Sequence, residues 1–231
     1  MIRGVIFDMD GLMFDTERLS MQMWGRELAK QGFRYTNEVG NSIRGRNGEA
    51  IRRILEETYG PGFDFISAMQ GVRADMMQRV ETTGVDVKEG LYQLMDWLEE
   101  QKIPMAVASS SRRVSVETYC RSAGILERFR AIICGDQVRH SKPDPEIFYL
   151  AAEALGVKPG ECLVLEDSFN GVRAGAAGGF ITVMVPDLDQ PTPEIDALYT
   201  RRAESLTEVL SCLKAGELPV HDLRQQAEIF D

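Results

Sequence analysis

The segment Val5-Ile6-Phe7-Asp8-Met9-Asp10-Gly11 is a short apolar run that ends in two carboxylates one residue apart, followed by a glycine. In a strand, residues i and i+2 point to the same side, so Asp8 and Asp10 start on one face. A turn at Gly11 would let both carboxylates converge on one point. Converging carboxylates repel unless a proton or a cation lies between them. The segment therefore predicts a nucleophile beside a general acid, with a hard divalent metal neutralising the site.

Four further apolar runs follow this first strand, and helix-like stretches separate them. The runs span residues 103–108, 131–134, 162–165 and 180–185. Strands that alternate with helices predict right-handed βαβ units and a mostly parallel sheet. The expected fold is therefore α/β, with a doubly wound, Rossmann-like core.

One region interrupts this alternation. From Thr16 to Thr82 the apolar spacing indicates helices and no strand. The insertion begins just after the acidic segment, at the carboxyl end of the first strand, where ligands bind in open α/β sheets. A decoration packed rigidly on the core is the alternative, but this position favours a mobile cap over the site. We predict a core of residues 1–14 and 84–231 and an inserted helical cap domain of residues 15–83, called the cap below.

Bulk composition limits the possible partners. The 231 residues carry a net charge of −10, which argues against nucleic acid or an anionic membrane because nothing offsets phosphate repulsion. No apolar run approaches the roughly 20 residues of a membrane span. The four cysteines form no CxxC pair, so zinc is not predicted. We expect a cytoplasmic protein that is a monomer or weak dimer and binds a small molecule.

Polar residues also end the second predicted strand and follow the third. Ser109 and Ser110 leave the second strand, where hydroxyls and backbone N–H groups can bind phosphate oxygens. The alternative is a serine N-cap for the next helix. Lys142 precedes a proline-rich turn and can deliver a point charge to phosphate. Its alternative is an ordinary solvated lysine.

The fourth strand ends in two carboxylates, Glu166 and Asp167. Asp167 is a good metal ligand, and Glu166 could orient either the waters of that metal or Lys142. The alternative is an acidic N-cap on the following helix, a role that Asp167 or Ser168 would fill well. Each motif is weak alone, but together they place polar chemistry at the end of one strand after another.

These motifs carry a resemblance to a known family. The sequences DMDG (8–11), ASS (108–110), SKPDPEIF (141–148) and EDSFNGVRAG (166–175) match four motifs in order. The chain resembles the haloacid dehalogenase superfamily, in the subgroup of beta-phosphoglucomutases and small-molecule phosphatases with a helical cap. The match covers essentially the whole chain. Phosphotransferases of this superfamily carry the second aspartate and dehalogenases do not, so Asp10 implies phosphate chemistry.

The resemblance implies roles for the protein groups. Asp8 would be the nucleophile that forms an aspartyl-phosphate, and Asp10 the general acid and then base. Ser109 and Lys142 would hold the transferring phosphoryl oxygens, with the backbone N–H groups of Met9 and Asp10 nearby.

The resemblance also implies a magnesium ion. Asp8, Asp167 and the main-chain carbonyl of Asp10 would bind Mg²⁺, with Glu166 beside them. The expected substrate is a small phosphomonoester, and the expected reaction is its hydrolysis.

A mutase is the alternative activity. Beta-phosphoglucomutases carry a histidine in the first cap helix, but residues 16–24 contain none, and Ser20 aligns with it. This difference favours a phosphatase. A mutase would also need a cation for a distal phosphate, for which Arg44, Arg46 and Arg73 are candidates. A non-catalytic relative that only binds a phosphorylated ligand is a third possibility, against which the complete catalytic set argues.

The cap supplies the predicted substrate contacts. Polar side chains with one aromatic ring suit a sugar or polyol phosphate, and they also suit a nucleotide or glycolate phosphate. The residues expected at the substrate are Glu17, Met21, Trp24, Arg46, Asn47 and Arg73 from the cap, with Asn170 from the core.

Overall fold

A computed structural model describes residues 1–44, 46 and 48–218 of the chain. Within them, six strands form one sheet in the order β3-β2-β1-β4-β5-β6, and every pair is parallel. The predicted α/β fold is confirmed. The last strand was not predicted because its two arginines form no apolar run. The strands are β1 Gly4–Phe7, β2 Met105–Ser109, β3 Ala131–Cys134, β4 Cys162–Glu166, β5 Ile181–Met184 and β6 Arg201–Arg202.

Helices cover both faces of this sheet. In β1, Val5 and Phe7 enter one apolar cluster and Ile6 enters another, as expected for side chains that alternate across a strand. None of the helices in the described ranges is long and apolar enough to cross a membrane. The core helices are α5 Leu91–Glu100, α6 Arg113–Ser122, α7 Glu146–Leu155, α8 Phe169–Ala177, α9 Pro193–Asp196 and α10 Leu206–Lys214.

Four helices lie between β1 and α5 in the described part of the chain, where the helical spacing predicts helices and no strand. They bury their own apolar cluster, which includes Trp24, Leu28, Leu55 and Phe65. The short second helix was not recognised separately; it begins where Thr36 accepts a hydrogen bond from Val39 N. The division into core and cap domains stays a prediction, and residues 219–231 lie outside the described part. The helices are α1 Thr16–Lys30, α2 Asn37–Ile43, α3 Gly48–Tyr59 and α4 Phe65–Thr83.

The sheet order locates the ligand crevice. From β1 the chain passes to β2 and β3 on one side, and then crosses to β4 on the other. The strand order therefore reverses between β1 and β4, and such a switch point opens a crevice at the carboxyl ends of the strands. Asp8 directly follows β1, and Asp167 directly follows β4. Two of the predicted metal ligands thus flank the switch point.

Candidate active site

Lys142 joins two carboxylates in the buried centre of the crevice. Its Nζ donates to Asp8 Oδ1 (2.5 Å), to Glu166 Oε1 (2.6 Å) and to the main-chain oxygen of Ala108 (3.0 Å). Only 8% of Lys142 is exposed, which excludes the solvated surface lysine. Glu166 is fully buried, and its other oxygen accepts from Ser168 N and Oγ. Glu166 therefore orients the lysine, one of the two roles considered for it.

The charges of this cluster do not balance. Burial raises the pKa of Asp8, the neighbouring Glu166 raises it further, and Lys142 opposes both. Burial alone would lower the pKa of Lys142, but Asp8 and Glu166 outweigh it and the pKa is raised. The single ammonium of Lys142 is thus shared by the carboxylates of Asp8 and Glu166. The excess negative charge favours the binding of a further cation.

Asp167 does not cap the helix that follows it, which was the alternative role considered from the sequence. Ser168 caps α8, because its Oγ accepts from Gly171 N at 3.1 Å. Asp167 Oδ1 is buried and has no hydrogen-bond partner within the described structure. A Cβ on Gly11, whose φ is +82°, would lie 2.1 Å from Asp167 Oδ2. The glycine after the two aspartates is therefore needed for the close approach of a third carboxylate.

These carboxylates fit a divalent metal. Ligand oxygens of Asp8, Glu166 and Asp167 lie within 4.8 Å of one another. Since both oxygens of Glu166 are engaged by Lys142 and Ser168, Asp8 and the unpartnered Asp167 are the better donors. Hard cations such as Mg²⁺ prefer this oxygen donor set. The carboxylate of Asp10 is not in the group, so its predicted metal contact would fall to its main-chain carbonyl.

Hydroxyl groups hold the side chain of Asp10. Its Oδ1 accepts from Thr16 Oγ1 (2.8 Å), and its Oδ2 accepts from Ser111 Oγ (2.7 Å) and more weakly from Ser109 Oγ (3.4 Å). Sequence reasoning missed Thr16 and Ser111, although both stand next to recognised motifs. Ser109 is fully buried and Arg112 precedes α6 without a side-chain cap, so the serine N-cap is excluded.

A cavity of ≈ 290 Å³ joins the core to the cap above these groups. Trp24 borders it, but only 3% of this residue is exposed and its ring stacks on Phe65 inside the cap. The side chain of Met9 is buried, which leaves its main chain for any ligand contact. Asn47 lies outside the described residues. Predicted site residues that line the cavity are Asp8, Asp10, Glu17, Met21, Trp24, Arg44, Arg46, Arg73, Ser110, Lys142, Asp167 and Asn170.

Glu17 brings a carboxyl group from the cap close to Asp10. The pKa of Glu17 is raised from 4.5 to about 7, first by burial and then by the neighbouring Asp10, while Arg44 opposes the shift. Arg44 is itself engaged, because its Nη1 pairs with Asp189 at 2.5 Å. The cap therefore places Glu17, whose pKa is about 7, near Asp10, the acid/base candidate.

Comparison with known proteins agrees with this geometry. Residues 2–179 match the family model of haloacid dehalogenase-like hydrolases. The chain is 31% identical over 187 residues to fructose-1-phosphate phosphatase YqaB of Escherichia coli, covering 79% of this chain and 95% of that protein. It is 33% identical over 190 residues to a "Probable pseudouridine-5'-phosphatase" of Drosophila melanogaster, covering 79% and 80%. The structure of CbbY from Rhodobacter sphaeroides with phosphate is similar, with a TM-score of 0.80, 26% identity and coverage of 90% and 96%.

The chain belongs to the haloacid dehalogenase-like hydrolase family. The resemblance stated from four motifs is confirmed, and a solved beta-phosphoglucomutase of Clostridium difficile shares the fold. The chain is an enzyme, and its predicted class, a phosphoric monoester hydrolase, is confirmed.

Proposed function

We propose that the protein is a magnesium-dependent phosphatase that hydrolyses a sugar or polyol phosphate through an aspartyl-phosphate on Asp8. One observation carries this proposal: the two aspartates after β1 have different partners. An ammonium holds Asp8, whereas hydroxyls hold Asp10. The ammonium favours an ionised nucleophile. Hydroxyls can donate or accept, so they can hold Asp10 with or without its proton.

In the first step, a carboxylate oxygen of Asp8 attacks phosphorus in line, and the bond from phosphorus to the leaving oxygen breaks. Asp10 gives its proton to that oxygen, which departs as the alcohol. In the second step, Asp10 takes a proton from water, the water oxygen bonds to phosphorus, and Asp8 is released. Phosphate and the regenerated carboxylate are the products.

Positive charge supports both steps. Lys142 faces the nucleophile and can hold a phosphoryl oxygen, and a well-placed group of this kind contributes about 3–4 kcal/mol. Asp8, Asp167 and the main-chain carbonyl of Asp10 would hold Mg²⁺. When bound, Mg²⁺ supplies charge that screens the phosphate from the carboxylates.

The cap wall supports a hydroxyl-rich substrate. Glu17 and Arg46 border the cavity on the cap side and Asn170 on the core side, and a polyol can donate to and accept from such groups. A relative named for fructose 1-phosphate supports the same class. A cytoplasmic location and a monomeric or weakly dimeric state stay predictions.

A mutase is the second candidate because two neighbouring arginines line the cavity. Arg73 belongs to α4, and Arg112 directly precedes α6. Burial lowers the pKa of Arg73 and the nearby Arg112 lowers it further. A second phosphate on a bisphosphorylated intermediate would relieve that repulsion. The missing histidine in α1 still ranks this candidate second.

A phosphomonoester panel with Mg²⁺ tests the proposal through released phosphate, with Asp8→Asn as the inactive control. Beta-glucose 1-phosphate is assayed separately, with and without glucose 1,6-bisphosphate. Phosphate release from a sugar or polyol phosphate is expected. Formation of glucose 6-phosphate would favour the mutase, and no turnover of any compound would favour the non-catalytic relative.

A further inference from the structure

We propose that Glu146 is a positioning residue that clamps the loop between β3 and α7 so that Lys142 stays on Asp8. This inference rests on the proposed function, in which Lys142 faces the nucleophile. Glu146 lies outside the cavity lining, so it would act through the loop rather than through substrate.

The carboxylate of Glu146 binds the loop just before the lysine. Its Oε1 accepts from Arg139 N at 3.0 Å, and its Oε2 accepts from His140 N at 2.8 Å. The ring Nδ1 of His140 lies 3.0 Å from the same Oε2. Two successive main-chain amides, three and two residues before Lys142, are therefore held by one side chain.

Hydrogen bonds of Asp144 also hold the part of the loop that follows Lys142. Asp144 Oδ1 accepts from Glu146 N at 2.9 Å, and Asp144 N donates to the main-chain oxygen of Ser141 at 3.0 Å. Lys142 thus stands inside a closed segment whose two ends meet at the first residue of α7. The segment has little regular structure of its own, so these side-chain contacts carry its conformation.

The charge of Glu146 suits this role. Main-chain hydrogen bonds from Arg139 and then His140 lower its pKa, which keeps the carboxylate ionised at neutral pH. A carboxylate in the first turn of a helix is also favoured by the helix dipole. His140, Asp144 and Glu146 lie close enough together to suggest a second metal site. Oxygens of Glu146 and Asp144 already accept main-chain hydrogen bonds, so a loop clamp explains this group better than a metal site does.

The clamp matters because the contacts of Lys142 are short and buried. Its ammonium has three acceptors within 3.0 Å, so a small shift of the loop would lengthen all of them together. A misplacement near 1 Å can cost on the order of 100-fold in rate. Loss of Glu146 should therefore lower catalysis without removing any group that touches substrate.

The first test compares Glu146→Ala and Glu146→Gln with Glu153→Ala, an exposed glutamate on the same helix. We expect kcat/KM to fall about 10- to 100-fold in Glu146→Ala. Glu146→Gln should lose less, because its amide keeps one acceptor oxygen, and Glu153→Ala should match the wild type. If Glu146→Ala does not fold, Glu146→Gln carries the comparison. Wild-type activity in folded Glu146→Ala, or in Glu146→Gln where Glu146→Ala does not fold, would overturn the inference.

The second test is a double-mutant cycle on the affinity for inorganic phosphate with Mg²⁺, measured by titration calorimetry. Glu146→Ala should weaken phosphate binding about 10-fold in the wild-type background and leave Lys142→Ala unchanged. An equal loss in both backgrounds would indicate general destabilisation and overturn the inference. A wild type that binds phosphate but hydrolyses nothing in the panel would refute the proposed function and leave this cycle interpretable.

Discussion

Thr16 Oγ1 donates a hydrogen bond to Asp10 Oδ1 across 2.8 Å. Thr16 is the first residue of α1, and Asp10 stands after β1, so the cap begins with a direct contact to the proposed acid/base group. Ser111 holds the other oxygen from the core side. The position of Asp10 therefore depends on both the cap and the core.

Removing this contact should slow turnover modestly. In Thr16→Val the hydroxyl is lost at nearly constant volume, and a hydrogen bond of this kind contributes about 0.5–1.5 kcal/mol, or roughly 2- to 13-fold in rate. Thr16→Ser keeps the hydroxyl and should stay near the wild type. Steady-state kcat on the best panel substrate measures the effect. Equal rates for the wild type and Thr16→Val would show that Thr16 does not position Asp10.

Replacing the nucleophile should abolish turnover. In Asp8→Asn the amide cannot form the aspartyl-phosphate, whereas the side-chain volume is kept. Phosphate release should drop to background while circular dichroism shows a folded protein. A folded Asp8→Asn variant with near-wild-type activity would refute the assignment.

Magnesium should stabilise the protein through Asp167. A ligand at 100 times its Kd adds about 2.7 kcal/mol of stability when it binds only the folded state. We expect Mg²⁺ to raise the Tm of the wild type and to have little effect on that of Asp167→Asn. Glu57→Gln, an exposed change on α3, is the control and should respond like the wild type. A full Mg²⁺ response in Asp167→Asn would place the metal elsewhere.

Because the pKa of Glu17 is raised in the folded protein, we expect the protein to become less stable as pH rises. The pKa of Glu17 is 4.5 in the unfolded chain and about 7 in the folded protein, so the folded state holds the proton more tightly between these two values. Stability is therefore lost as pH rises through this range. The Tm of Glu17→Gln minus that of the wild type should be larger at about pH 8 than at about pH 5. Scans without metal check this, and a pH-independent difference would contradict it.

The sequence by itself determined the order of the strands along the chain, the helical insertion and the motif residues. This is because apolar periodicity and glycine or proline turns act locally. Asp8, Asp10, Lys142 and Asp167 could be selected since polar groups at the ends of buried runs are conspicuous. The two-residue strand β6 and the short helix α2 carry too few apolar residues for such a signal.

Only the tertiary structure decided how these residues are partnered. In the folded protein Ser168 caps α8, and Asp167 Oδ1 has no hydrogen-bond partner among the described residues. Glu166 accepts a hydrogen bond from Lys142, and Asp10 accepts one from Thr16. Glu166 and Lys142 are 24 residues apart in sequence, and Lys142 and Asp8 are 134 residues apart. Their contacts depend on the parallel strand order, which brings the ends of β1, β2 and β4 to one edge of the sheet, and no local pattern encodes that juxtaposition.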